Sequence, residues 1–347
     1  MWPPAGAEQA EPVTEAAPAR SRRRGRQALA FGVGAVLLAL VVYYAGLGQI
    51  VRRLQELGWR APLVLVPYLI VNIFDTTGWR RTLPRDVAKR VPFFALYLTR
   101  MAGEAVNSLT PTAAIGGEPV KAHLLRAWGV PAPDSIASVV IAKTALTVSQ
   151  ITFVLIGLAA LFDRLERRAA GAVWLSLLLA VAVAFTVFVV RLQRRGPVVT
   201  VWRWLHKIMP NAPIVARLEA KAEAIDERLS EFYVERAAFR SAALWHLGGW
   251  LLGVFEVWLF MALIGEPIAL SEALIIEALA QPIRAAALFI PGGLGAQEIG
   301  GVALCKFLGI PEAAGVTLWL LKRARELVFD GVGVLYLMRR TGSIFGR

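Results

Sequence analysis

The chain has 347 residues, 57% of them hydrophobic, and its 38 Lys and Arg against 25 Asp and Glu give a formal net charge of +13. A soluble protein is usually about 45–50% apolar, so the composition excludes an ordinary globular domain and indicates an all-α integral membrane protein. The single cysteine excludes an internal disulfide and a cysteine metal cluster. No nucleic-acid-binding motif accompanies the positive charge, which suits anionic lipid headgroups instead.

The N-terminal part predicts a cytoplasmic tail followed by a membrane domain. Residues 1–26 are rich in Pro, Ala and Glu and end in the basic run SRRRGR, which is typical of a disordered tail held in the cytoplasm. We expect the transmembrane domain over residues 27–340 and a short C-terminal tail over 341–347. The first predicted span, 28–47, carries no charge, and the second, 61–79, precedes a loop with five Arg or Lys.

The next apolar segment, residues 91–110, carries Arg100, Glu104 and Asn107 on one helix face. Because buried charge is expensive in lipid, that face should point into protein or a watery cavity. The segment 111–131 then combines a Gly/Pro-rich break with a short helix. Together they predict a re-entrant hairpin, which membrane proteins tolerate where it lines a protein cavity.

The rest of the chain predicts four more spans, a polar segment and a second hairpin. Residues 191–240 contain an amphipathic helix with Ile214, Leu218, Ala222, Ile225, Leu229 and Phe232 on its apolar side, placed on the cytoplasmic surface. The expected fold therefore has about six full transmembrane helices and two re-entrant hairpins, with both termini cytoplasmic. The remaining predicted spans are 135–162, 169–190, 241–264 and 312–338, and the second hairpin follows the apolar segment 271–290.

The two hairpins are related by a spacing of 180 residues. Aligned without gaps, 111–131 and 291–311 share five identities in 21 positions, among them Glu118 with Glu298. The same spacing places Lys143 on Arg323 and Arg284 on Glu104. We interpret this as an internal repeat with halves at about 61–162 and 241–340. Three spans separate the hairpins, so the repeat would be inverted, as in transporters with broken helices at mid-membrane.

An inverted repeat of this kind would bring the two short helices to a common charged centre. Their N-terminal amides could hold an anionic group such as a phosphate, and the nearby charges would suit a zwitterionic or phosphate headgroup. A structural role, in which the same charges only pair with one another and lock the bundle, is the alternative. The candidate substrate-binding residues are Arg100, Glu104, Asn107, Glu118, Lys143, Arg284, Gln297, Glu298, Arg323 and Glu326. We expect no metal, cofactor or catalytic residue, because the three histidines are isolated and no nucleotide loop occurs.

These motifs resemble a known family over roughly residues 28–340. The pattern from Asn107 to Glu118, and PGGLGAQE followed by Arg323, resemble the lysylphosphatidylglycerol synthase transmembrane region. This is the flippase-like domain in the N-terminal half of the multiple peptide resistance factor. GEAVNSLTP and LLKRARELVFDG further resemble the branch associated with hopanoid biosynthesis. Many family members have an arginine where this chain has Lys143, and a lysine keeps the charge without the bidentate fork.

The resemblance implies translocation of a phospholipid, hopanoid or polyprenyl lipid between the leaflets of a bacterial cytoplasmic membrane. The soluble aminoacyl-transferring half of the resistance factor has no counterpart in this sequence. A non-catalytic scaffold of a lipid-synthesis complex, and a membrane glycosyl or aminoacyl-lipid transferase, are the two alternatives. Membrane lipids are the expected partners and nucleic acid is not. Lipid-biosynthesis proteins and further copies of the chain are the candidate protein partners.

Overall fold

The structure, a computed structural model, describes residues 47–110, 116–164, 207, 222–231, 236–287, 290 and 294–344. This part of the chain is helical throughout and contains no strand. A 3-10 helix, Gly58–Val64, joins the first two α-helices, and a further helical stretch covers 222–231. The α-helices are α1 (Leu47–Leu57), α2 (Val66–Arg80), α3 (Arg85–Arg90), α4 (Phe93–Leu109), α5 (Gly117–Arg126), α6 (Ala132–Arg164), α7 (Arg236–Leu263), α8 (Leu270–Ala286), α9 (Ala296–Phe307) and α10 (Glu312–Ile344).

Three segments of the described chain are long and apolar enough to cross a membrane: Gly48–Arg80, Ala132–Arg164 and Ala237–Leu263. The first of them joins α1, the 3-10 helix and α2, so the span predicted at 61–79 has an irregular entry, with Pro62 inside the 3-10 turn. The spans predicted at 28–47 and 169–190 lie outside the described residues. The span predicted at 312–338 lies in α10, which is not among these three segments. The total of six spans therefore stays a prediction.

Helix α10 is polar on its inner side and apolar on its outer side. Lys322, Arg323 and Arg325 are each no more than 4% exposed, whereas Val328, Val332 and Leu335 are 40–55% exposed. A soluble protein would show the opposite arrangement, because charged side chains are almost never fully buried there. Charges turned inward and aliphatic side chains turned outward are what a helix surrounded by lipid requires.

The turns that follow the two short helices have the same backbone structure. Gly129 has a φ of 74° and Gly309 a φ of 82°, a left-handed conformation that glycine adopts without steric cost. The Gly129 amide donates to Arg126 O and the Gly309 amide to Lys306 O, both at 3.0 Å. Each residue of the second turn lies 180 positions after its counterpart.

The long helices that follow these turns also correspond. Pro131 O accepts the Ser135 amide at 2.9 Å, and Pro311 O accepts the Gly315 amide at 3.0 Å. A proline suits this position because the first amides of a helix have no intrahelical partner. Both α6 and α10 then run for 33 residues, with α10 beginning and ending 180 positions after α6. The spacing seen in the sequence thus corresponds to equal local structure.

Helices α4 and α8, which precede the two short helices, correspond to each other with a different spacing. Both α4 and α8 have 17 residues, but α8 begins 177 positions after α4. This spacing aligns Gln281 with Glu104, and Arg284 with Asn107. The uniform spacing of 180, which placed Arg284 on Glu104, therefore does not hold in this helix, because the segments between the paired helices differ in length.

Each hairpin packs against the long helix of the other half. Helix α4 contacts α10, and α8 contacts α6. Two glycines allow the close approach. A Cβ on Gly333 would lie 2.4 Å from Met101 O, and a Cβ on Gly157 would lie 2.1 Å from the Ala278 Cβ. The largest apolar cluster fills the space between α7, α8 and α10, with Phe260, Ile276 and Leu318 fully buried.

Helices α6 and α10 run in opposite directions. Asp134 in the first turn of α6 lines a cleft with Ala237 at the start of α7, and Ala314 in the first turn of α10 lines another with Leu263 at the end of α7. We call these the first cleft and the second cleft. Since α7 has 28 residues, the two ends are about 42 Å apart.

Contacts at the other ends of the two helices agree with this direction. The guanidinium of Arg340, near the end of α10, lies 4.8 Å from the ring centre of Trp128, just before α6. Arg164, at the end of α6, donates to Leu308 O just before α10, at 3.5 Å.

The helical stretch 222–231 packs on protein. Ala222, Ile225 and Leu229 are buried, and the last two pack with Ala137 and Ile141 of α6. The other apolar positions of the predicted amphipathic helix lie outside the described residues. In the part that is described, the apolar face is turned to α6 instead of the surface of the membrane.

We expect Gly333→Ala to lower the stability of the bundle. The added Cβ meets the backbone of α4, and overpacking of this kind costs about 1–3 kcal/mol. Gly331→Ala is the matched control, because it lies in the same helix and gains the same helix propensity. No atom lies within 4 Å of the position that its new methyl group would take. Thermal unfolding in detergent should show a fall of several degrees for Gly333→Ala alone. Equal melting temperatures for the two variants would contradict the packing.

Candidate functional site

Glu118 is held by three side chains around the N-terminus of α5. Its carboxylate lies 3.0 Å from Lys121 Nζ and 3.3 Å from Lys143 Nζ, and Asn107 Nδ2 donates to it at 3.4 Å. Asn107 also accepts the Gly117 amide at 2.7 Å. Glycine is needed at 117, because a Cβ there would lie 1.9 Å from Gly103 O. These contacts fix α5 against α4 and join it to α6.

Lys121 is a member of this network that the sequence analysis missed. Its Nζ lies 2.6 Å from Glu104 Oε1, and the residue is buried. It follows Glu118 by three positions in a short helix, a spacing that also fits an exposed ion pair. The signal in the sequence was Gly103, because its missing side chain leaves the space that the stem of Lys121 occupies. A Cβ at 103 would lie only 2.4 Å from Lys121 Cε.

Arg100 belongs to the same region and connects α4 to α2. It donates to Asn72 Oδ1 and to Asp75 Oδ2, each at 2.5 Å. His246 Nδ1 of α7 contacts the other oxygen of Asp75 at 2.7 Å. The predicted polar face of α4 therefore points into protein. Asn72, Asp75 and His246 were not among the candidate residues, because only the folded chain brings α2, α4 and α7 together.

A cavity of about 30 Å³ lies among Arg100, Glu104, Glu118, Lys121 and Lys143. A space of this size holds roughly one water molecule. The side chains around it are engaged with one another. A ligand larger than a water molecule can enter only if this network separates.

Glu298 forms the corresponding network in the second half. Its Oε1 accepts from Arg323 Nε at 2.9 Å and from Arg323 Nη2 at 2.6 Å. Arg323 Nη1 reaches Glu326 at 2.9 Å, and Glu326 also accepts from Arg284 at 2.9 Å. The other predicted residue, Gln297, is buried in the first turn of α9. Glu298–Arg323 and Glu118–Lys143 are thus ion pairs at positions 180 residues apart.

The structure places Glu118 and Glu298 in two separate networks and brings neither against the other. The expected common centre at the tips of both short helices is not formed by these contacts. The amides expected to hold an anion also have partners within the chain: the Gly117 amide donates to Asn107, and the Gly295 amide donates to Glu298 Oε2 at 2.9 Å. An anion would have to displace these oxygens.

A third network lies deeper in the second half and was not predicted as part of the site. Lys322 Nζ lies 2.6 Å from Glu277 and 3.9 Å from Glu256, and Arg325 Nε donates to Glu256. The Arg325 guanidinium also lies 3.8 Å from the ring centre of Tyr68. All four charged residues are less than 10% exposed. The network joins α7, α8 and α10.

The ion pairs of the three regions join equal numbers of acids and bases. Their ion pairs join seven carboxylates, at residues 75, 104, 118, 256, 277, 298 and 326, to seven cations, at residues 100, 121, 143, 284, 322, 323 and 325. Pairing offsets most of the desolvation cost of burying each charge. It also means that loss of one partner leaves an uncompensated charge among the helices.

A bundle of helices with ion pairs inside and aliphatic side chains outside is an integral membrane protein. The comparison of its sequence with known families defines it further: the chain belongs to the family described as the Lysylphosphatidylglycerol synthase TM region, which matches residues 27–332. This confirms the resemblance seen in the motifs. The UPF0104 membrane protein of Methanothermobacter thermautotrophicus is 25% identical over 310 residues, which cover 84% of this chain and 88% of the relative. No solved structure matches the chain.

We expect Lys322→Met to be strongly destabilising, because it leaves Glu277 buried without its cation, at a cost of about 3–5 kcal/mol. The double variant Lys322→Met/Glu277→Gln removes both charges and should recover much of the loss. Thermal or denaturant unfolding in detergent measures the difference. A double variant as unstable as the single one would contradict the pairing.

Proposed function

We propose that the protein moves a lipid between the two leaflets of a bacterial cytoplasmic membrane, with both termini in the cytoplasm. In this proposal the two halves form an inverted repeat, and the Glu118 and Glu298 networks open in turn to receive the headgroup. The lipid is a phospholipid, a hopanoid or a polyprenyl lipid. The family's description, which concerns a lysylphosphatidylglycerol synthase, supports a lipid as the substrate.

Three features of the fold support the inverted repeat. Helices α6 and α10 begin at opposite ends of α7. The turns before them share two hydrogen bonds, from Trp128 and Gly129 in the first turn and from Leu308 and Gly309 in the second. Each hairpin packs on the long helix of the other half, which is the exchange of contacts that a two-fold axis between the halves produces. Inverted repeats with broken helices are a transporter arrangement because the same motion can open either side.

The observation that carries the proposal is the pair of matching ion pairs, Glu118–Lys143 and Glu298–Arg323. Each joins a short helix to the long helix that follows it. A structural lock would need charges somewhere between the helices, but it would not need them at corresponding positions of both halves. Corresponding positions are expected where the two halves perform the same step on opposite sides.

A lipid headgroup can replace one member of each pair, so that the member in contact with the headgroup keeps an opposite charge beside it. A phosphate would take the place of the carboxylate beside Lys143 or Arg323, and an ammonium group would take the place of the cation beside Glu118 or Glu298. The headgroup thereby offsets the cost of separating the pair. Lys143 is 37% exposed in its side chain and Arg323 only 4%, so Lys143 is the more accessible of these two cations. No bond is made or broken in this scheme, and the protein acts without being an enzyme.

The scaffold alternative would need an apolar surface for partner proteins. In the described stretch 222–231, that surface is already packed against α6. The transferase alternative would need a catalytic group, whereas the charges described above are bound in ion pairs with one another. Both observations favour transport.

Glu298→Gln should slow transport by about tenfold or more, because Arg323 keeps a hydrogen-bond partner at 298 but loses one of the two carboxylates, Glu298 and Glu326, that balance its charge. The measurement is the rate at which headgroup-labelled phosphatidylglycerol becomes accessible to dithionite in vesicles containing the purified protein. Glu312→Gln is the matched control. It breaks the Lys306–Glu312 pair, which also joins α9 to α10 but is more than half exposed.

Glu118→Gln should slow transport to a similar extent, since the proposal gives the two halves equal parts. A wild-type rate for both glutamine variants, or an equal loss in Glu312→Gln, would remove the proposed role of the networks. Retained folding is checked by the elution profile and melting temperature of each variant in detergent.

A further inference from the structure

The first cleft lies where three membrane-spanning segments meet the water boundary. It has a volume of about 980 Å³ and is formed by the end of α2, by α3, by the first turns of α6 and α7 and by the stretch 222–231. The candidate spans Gly48–Arg80, Ala132–Arg164 and Ala237–Leu263 each have one end there. A cleft at this level is next to the headgroups of the surrounding lipid and is large enough for one of them.

The first cleft is strongly basic. Five cations line it, at residues 80, 81, 85, 89 and 228, against two carboxylates, at residues 134 and 231. Two of the cations serve the protein itself. Arg80 donates to Ala88 O at 2.8 Å and so shapes the loop. Arg228 contacts Glu231 at 2.8 Å and Asp134 at 3.0 Å, and the hydrogen bond to Glu231 and the charge of Asp134 raise the pKa of Arg228.

The other three cations, Arg81, Arg85 and Lys89, are exposed and line the cleft together. Within the described part of the chain, none of them has a carboxylate at salt-bridge distance. Their charge is therefore available to a ligand. Leu83 and Phe93 add apolar surface beside them, which a soluble phosphate would not use.

We propose that the first cleft binds the phosphate of an anionic lipid headgroup, held by Arg81, Arg85 and Lys89. The role of the cleft as the place where the lipid is loaded rests on the proposed function. The binding itself can be measured without transport. The chemistry is that of cations at a membrane surface, each of which attracts an anionic headgroup. Arg81 and Arg85 can also bind phosphate oxygens in a bidentate manner.

The second cleft does not share this excess of positive charge. The two clefts are lined by corresponding positions of α6 and α10, namely 134, 137 and 141 against 314, 317 and 321. The second cleft is smaller, about 290 Å³, and its charged residues are Arg53, Glu56 and Glu266. Arg53 is bound to Glu56 at 2.9 Å, which leaves Glu266.

The experiment compares two triple variants that remove the same charge. Arg81→Gln/Arg85→Gln/Lys89→Gln empties the first cleft of its unpaired cations. Arg90→Gln/Arg126→Gln/Arg339→Gln removes three exposed cations that do not line it. The affinity of the full-length protein in a neutral detergent is measured for dihexanoyl-phosphatidylglycerol, dihexanoyl-phosphatidylcholine and inorganic phosphate.

We expect wild type and the control to bind dihexanoyl-phosphatidylglycerol equally and the cleft variant to bind it about tenfold or more weakly. Phosphatidylcholine and inorganic phosphate should bind wild type more weakly than phosphatidylglycerol. An equal loss in both variants would show a general charge effect and overturn the proposal. Inorganic phosphate binding as tightly as the lipid would overturn the lipid as occupant. If binding follows the proposal while no transport occurs in vesicles, only the proposed function fails.

Discussion

Ion pairs between helices determine how this bundle is built, because the surrounding lipid cannot solvate an unpaired charge. Arg100 joins α4 to α2, Glu118 joins α5 to α6, Glu298 joins α9 to α10, and Lys322 joins α8 to α10. In water such pairs contribute little, because each partner is solvated equally well alone. Among lipid-embedded helices the unpaired state is the costly one. The pairs therefore specify which helices are neighbours, while the aliphatic outer faces, which meet lipid in any arrangement, specify little.

The proposed transport follows from the same constraint. Each network is costly to open with nothing bound. It is less costly to open when a charged headgroup replaces one partner. Opening is therefore coupled to the presence of the lipid. Two such networks at corresponding places, with α6 and α10 running in opposite directions, allow the step to occur from either side.

The sequence could predict what depends on local chemistry. Gly129 and Gly309 take a left-handed turn that other residues adopt at a cost, so the spacing of these turns revealed the correspondence of α6 with α10. The same spacing aligned Glu118 with Glu298 and Lys143 with Arg323, but the pairing of each glutamate with its cation is seen only in the structure. What the sequence could not predict depends on how helices are rotated and packed. Lys121 and Lys322 point inward because of Gly103 and Glu277, which lie on other helices. The shift of α8 relative to α4 depends on loop lengths, which a constant spacing cannot express.

The exchanged packing has a consequence for how the protein is made. Helix α4 ends at Leu109 and its partner α10 begins at Glu312, so roughly two hundred residues are synthesised between them. Until α10 is inserted, the groove beside Met101 and Ala105 that later receives Gly333 lacks that partner. Helix α8 does not wait in this way, because its partner α6 precedes it in the chain. The contact between α4 and α10 can therefore form only late in synthesis, after α10 has left the ribosome.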